Sequence, residues 1–169
     1  MIEDLKSMVL TRLKDWYNAN KKTPDQVLYY RDGVAETQYT KLQETELTWI
    51  HEAWDEFLDW LYALKPQLAG VQRPNLSLIA VVVTKRHNTR LFPFNNSDKM
   101  QGNENCKPGT LVDQVITSPY FRDFFLQSHN GLLGTAKAAH YFVLHNSANW
   151  TDAQIQDLVR AQSLFPIPS

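Results

Sequence analysis

The chain has 169 residues, enough for one domain with a core, and its 43% hydrophobic and 21% charged residues are those of a folded rather than a disordered protein. A net charge of −1 excludes a global cationic signature, and the single cysteine, Cys106, excludes an internal disulfide and fits a reducing, cytoplasmic compartment. No apolar run approaches membrane-spanning length, and the opening MIEDLKSMVL carries early acids in place of a signal-peptide pattern.

In MIEDLKSMVLTRLKDWYNAN, Ile2, Leu5, Val9, Leu13 and Trp16 recur at three-to-four spacing, which predicts an amphipathic helix closed by NKKTPD. QVLYYR then reads as a short buried strand ending on Asp32. From Thr37 to Lys65 the positions Leu47, Ile50, Trp54, Phe57, Leu58 and Leu61 keep helical spacing. This long helix has an acidic outer face of Glu44, Glu52, Asp55, Glu56 and Asp59. Trp49, Trp54 and Trp60 on it read as packing residues rather than base-stacking platforms. LSLIAVVVTKR is rich in branched residues, as expected of a strand buried on both faces. TLVDQVIT, YFRDFFLQS and TAKAAHYFVLHN are further candidate strands. TDAQIQDLVRAQSL closes the order as a helix, with Thr151 as N-cap and Gln154 completing a capping box.

This is an α/β order. The first two strands are joined by a helix, which predicts a parallel crossover. Open α/β sheets gather function at the carboxyl ends of their strands. Asp32 ends the first strand and Lys85-Arg86-His87 ends the second, so a parallel pair brings them to one edge. Charge is compatible with that placement. Residues 1–75 carry 9 Lys+Arg against 12 Asp+Glu, whereas residues 76–145 carry 7 against 4 and hold four of the five histidines. An anion site in the second half fits this asymmetry; an uneven surface on a neutral protein is the other reading. For His87, His129, His140 and His145 a zinc site is the sharp alternative, but their scatter matches no ligand spacing. Nothing near Cys106 suggests an activated thiol.

YYRDGVAETQY, ELTWIHEAW, VVVTKRHNTRLF, PGTLVD, ITSPYFRDFFLQSHNGLLGTAKAAHYFVL and NWTDAQIQDL, taken together and in this order, resemble the PIWI domain of eukaryotic Argonaute proteins. The resemblance covers nearly the whole chain. It implies one domain over residues 1–169, a partial RNase H-like (PIWI) fold of the α/β class with a mixed central sheet flanked by helices. It implies small guide RNA and target RNA as partners, the rest of an Argonaute chain as a further one, and no membrane. Residue by residue, Asp32 matches a catalytic, metal-binding aspartate for Mg²⁺ or Mn²⁺. Lys85, Arg86 and His129 match contacts to the guide backbone. Lys137 falls where the family usually has arginine, which keeps the charge and loses the planar fork. Phe142 and Ser118 stand where the family usually has histidine.

Active members use four metal-site residues, and by this register only Asp32 falls in the chain. An aspartate lies upstream, a glutamate falls just before Met1, and a histidine lies beyond LFPIPS. Glu3 and Asp4 are one turn too far into the first helix to replace the glutamate. Two-metal cleavage needs several carboxylates around the ions. The implied function is therefore the guide-binding part of a PIWI domain, without cleavage by this chain alone. A portion of an active RNA slicer whose other catalytic residues lie outside the chain is the alternative, and a degenerate remnant is a third reading. The same register implies that opening strands of the sheet are lacking, which would leave QVLYYR or LSLIAVVVT as an open edge.

Overall fold

The structure, a computed structural model, describes residues 2–128 and 134–164. The elements follow the α/β order: α1 (Leu5–Asn20), β1 (Val27–Asp32), α2 (Tyr39–Leu42), α3 (Thr48–Leu64), β2 (Leu78–Thr84), β3 (Thr110–Val112), β4 (Asp123–Gln127), β5 (Ala139–Asn146) and α4 (Asp152–Leu164). The strands form one five-stranded sheet in the order β1-β2-β5-β4-β3. Val27 N–H donates to the Ser77 carbonyl at 2.8 Å where β1 and β2 begin, and Asp32 meets Lys85 at 3.1 Å where they end, so these two run the same way. The other neighbours are antiparallel: Ser147, just after β5, donates to the Leu78 carbonyl at the start of β2, and β4 pairs antiparallel with both β5 and β3. The sheet is mixed, and the expected parallel crossover is present.

Of the two strands named as a possible open edge, β1 lies at the edge of the sheet and β2 inside it. Two details differ from the sequence-based expectation. Only Thr110–Val112 of TLVDQVIT is a strand; beyond it Val115 takes a positive φ of 69°, which no extended strand allows. The long helix is not uniform. It begins as a 3₁₀ turn at Glu36–Gln38, and a π-helical stretch, Gln43–Leu47, separates α2 from α3.

The chain packs as two compact units. The first comprises Met1–Tyr29, Ala35–Ala80 and His145–Ala148. Its core is the apolar stripe of α3, with Ile50, Ala53, Trp54, Phe57, Leu58 and Leu61 buried, packed on Leu5, Leu13 and Tyr17 of α1. Tyr17, Trp54, Phe57 and Trp60 form a ring cluster with centroids 5.7–6.4 Å apart. Such edge and tilted pairs add to area burial, and the packing reading of Trp54 and Trp60 holds. The Trp54 indole N–H is satisfied by the Pro74 carbonyl at 3.1 Å. Trp16, placed by spacing on the apolar face, is instead 44% exposed.

A carboxylate sits inside this unit. Glu46 is fully buried in the π-helical stretch. Its side chain accepts from the Tyr29 hydroxyl at 2.6 Å and from the Ile2 backbone N–H at 3.2 Å. One residue thereby ties the start of α1, strand β1 and the helical segment. Position 46 lies on the four-residue line from Leu42 to Ile50, both buried, and that spacing carried the signal for it.

The second unit comprises Tyr30–Val34, Val81–Leu144 and Asn149–Ser169. β4 is buried at every position, and Ile155 and Val159 of α4 are buried. The capping box forms as expected: Gln154 N–H donates to the Thr151 hydroxyl at 3.3 Å and Thr151 N–H to the Gln154 side-chain oxygen at 2.9 Å. Arg160 of α4 donates to the Gly109 carbonyl at 3.2 Å. Gly109 has φ +86°, a conformation that calls for glycine, and a Cβ there would lie 3.3 Å from Arg160 Nε.

Glu46→Ala is expected to destabilise the chain by about 2–4 kcal/mol, because a half-buried hydroxyl and a backbone N–H lose their acceptor. Glu46→Gln, which keeps an acceptor oxygen, is expected to lose less. Denaturant unfolding of the two variants checks the order.

Candidate nucleic-acid interface

Asp32 is the last residue of β1, and Gly33, at φ +78°, turns the chain away directly after it. Lys85 and Arg86 follow the last residue of β2. Because the strands run the same way, Lys85 Nζ lies 3.1 Å from Asp32 Oδ2, with side chains 67% and 60% exposed. An ion pair this exposed holds its partners weakly and can be exchanged for another anion. Asp32 also bears on the interior: burial first, and then the charge of Asp32, push the Tyr141 hydroxyl above its ordinary range. Tyr30 is pushed the same way by burial and by Tyr141.

The other cations lie in the same unit. Arg86 and Lys137 are exposed, and neither has a hydrogen-bond or ion-pair partner among the described residues. Arg90 is half-buried and donates to the His87 and Thr89 carbonyls at 3.3 and 2.9 Å. Lys85, Arg86 and Lys137 thus all lie on the surface of one unit. His129 lies outside the described residues. Among the described residues no three His, Cys, Asp or Glu side chains are grouped to hold a metal ion. Asp32, paired to an ammonium group, does not make a holder for Mg²⁺ or Mn²⁺ by itself.

Beneath this surface is a polar arrangement that the sequence reading missed. Asp123, at the start of β4, is buried. Its Oδ2 lies 2.6 Å from His140 Nε2, and its Oδ1 accepts the Ser118 N–H at 2.9 Å. Phe125 faces His140 across the β4–β5 pair, and the rings stack at 3.9 Å and 10°. Asp123 is thus the diagonal neighbour of His140, two residues from Phe125 on the same face. Phe142 packs against His140 at 4.2 Å.

His87 adds a link. Its Nε2 lies 2.7 Å from the Ala138 carbonyl, which can only accept, so that nitrogen carries the proton. Its ring meets Phe125 edge-on at 5.4 Å and His140 at 6.1 Å. Burial holds His87 below its ordinary pKa; the Ala138 carbonyl opposes this, and the charges of His140, Arg90 and Lys137 add to the lowering.

The Piwi domain family profile matches residues 1–164. Protein argonaute 18 of Oryza sativa subsp. japonica is 41% identical over 160 residues, 94% of this chain and 13% of that protein. The crystal structure of the C-terminal lobe of a budding yeast Argonaute superposes with a TM-score of 0.81 at 30% identity, over 98% of this chain and 33% of that one. The crystal structure of Kluyveromyces polysporus Argonaute with a guide RNA gives 0.80 at 30% identity, over 98% of this chain and 20% of that one. The chain therefore spans about one eighth of the length of the curated relative.

Acid is expected to weaken the fold through His87 and also through His145, which burial and then His51 hold low. With the folded pKa below the unfolded one, the unfolded chain binds more protons. Stability is then present above about pH 6.5 and falls as pH drops through the folded values. Denaturant midpoints at neutral and mildly acidic pH test this. His87→Gln, which takes up no proton, is expected to flatten part of the dependence.

Proposed function

The chain belongs to the Piwi domain family, and on that premise we propose that it is a guide-RNA-binding part of an Argonaute PIWI domain, acting in cytoplasmic RNA silencing without cutting RNA on its own. The observation that carries this reading is the set of cations on the second unit: Lys85 in an exchangeable pair with Asp32, and Arg86 and Lys137 exposed. Lysine and arginine at strand ends suit phosphate oxygens, which position a nucleic acid without reading its sequence. The similarity to an Argonaute solved with a guide RNA supports the same ligand. On this reading the phosphate takes Lys85 from Asp32, and the carboxylate repels the incoming anion.

The alternative is a portion of a metal-dependent slicer. Its support is the exposed carboxylate of Asp32 at the position the family uses for a metal ligand. Any Mg²⁺ or Mn²⁺ there would take its remaining ligands from residues outside the described set, and no catalytic step is assigned to this chain.

Incubating the full chain with labelled single-stranded RNA, and with a guide–target duplex in Mg²⁺ or Mn²⁺, tests the reading. Binding that weakens with salt, and no cutting, are expected. Asp32→Asn is expected to tighten binding by roughly two- to fivefold, the scale of an exposed ion pair. Cutting that Asp32→Ala abolishes would establish the alternative instead.

A further inference from the structure

We propose that His87 is a positioning residue: its hydrogen bond to the Ala138 carbonyl clasps the Lys137 segment to the Lys85–Arg90 segment, so that cations from two distant stretches of sequence act as one phosphate-binding face. The inference rests on the phosphate-binding reading above and assigns a role to a residue that this reading leaves unused.

His87 follows Lys85 by two residues, and Ala138 follows Lys137 directly. The clasp at 2.7 Å therefore joins two segments 51 residues apart. Arg90 and Lys137 both bear electrostatically on the His87 ring, which places both charges around it. Left to themselves these cations repel; a fixed contact from the His87 ring to the Ala138 carbonyl holds their segments together.

The clasp has a rigid seat. The His87 ring rests edge-on against Phe125 and His140, and His140 is stacked on Phe125 and hydrogen-bonded to buried Asp123. The far side of the Lys137 segment is held as well. Buried Asn105 donates to the Gly134 carbonyl at 3.0 Å and accepts the Ala136 N–H at 2.8 Å. Held by Asn105 before it and by His87 after it, Lys137 stands on a backbone with little freedom, while its own side chain stays exposed. Ordering paid before binding is not lost at binding, which is how a preorganised face gains affinity.

The test uses the full chain and labelled single-stranded oligouridine RNA, with dissociation constants measured over a range of salt concentrations. His87→Phe keeps the ring against Phe125 and loses the donor. His87→Gln keeps an N–H at nearly the same reach, and His87→Asn has the same amide on a shorter arm. The Phe and Asn variants are expected to bind about three- to tenfold more weakly, with the salt slope reduced by about 0.7, the share of one phosphate on a single strand. The Gln variant is expected to restore both. Lys137→Ala is expected to flatten the slope in the wild-type background and to change nothing further in the Phe or Asn background, because the two changes remove the same contact. Thermal melts identify which variants are folded, and the Asn variant carries the comparison if the Phe variant is not. Wild-type slope and affinity in a folded Phe or Asn variant, or additive losses with Lys137→Ala, would overturn the clasp while leaving RNA binding intact. Absence of RNA binding by the wild-type chain would overturn the phosphate-binding reading and the clasp with it.

Discussion

The site depends on two strands that start together and run the same way. Val27 is hydrogen-bonded to Ser77 at one end, and Asp32 meets Lys85 at the other. A reversed β2 would put Lys85 beside the start of β1 and leave Asp32 without a cation. Gly33 then lets β1 stop on its carboxylate, because the left-handed turn it makes is open to glycine at little cost. A strand-ending aspartate is therefore a product of topology here, balanced by a lysine that the next parallel strand delivers.

Both units place a carboxylate where hydrophobic residues would be expected. Glu46 is buried among the helical residues of the first, and Asp123 at the start of a fully buried strand in the second. Neither stands alone: Glu46 accepts from Tyr29 and Ile2, Asp123 from Ser118 and the His140 ring. Such groups are costly to desolvate and repay that cost only through specific partners. They fix which segments meet. In the second unit Asp123 holds His140, whose ring in turn meets His87, the residue next to Arg86, and this links a polar interior to the proposed RNA-binding surface.

Much of the fold was legible in the sequence because period and turn chemistry are local. The α3 stripe, the run of branched residues in β2 and the Thr151–Gln154 capping box were read directly and are present. The parallel crossover, and with it the meeting of Asp32 and Lys85, followed from element order. The features that escaped are set by tertiary contacts. Asp123 and His140 are 17 residues apart, and His87 and Ala138 are 51 apart, with no period to join them. The strand expected over TLVDQVIT was cut short by backbone geometry at Val115 that its β-branched composition disguises. The roles proposed for Lys85, Arg86 and Lys137 rest on family resemblance, and the geometry adds that all three lie on the surface of one unit.

The most direct measurement of the central claim is the salt dependence of RNA affinity in the double variant Lys85→Ala/Arg86→Ala beside the wild-type chain. Phosphate contacts predict weaker binding of every RNA sequence alike, with the slope flattened by about 1.4 for two contacts on a single strand. An unchanged slope and affinity in a folded double variant would contradict the account and move the RNA-binding face away from the ends of β1 and β2.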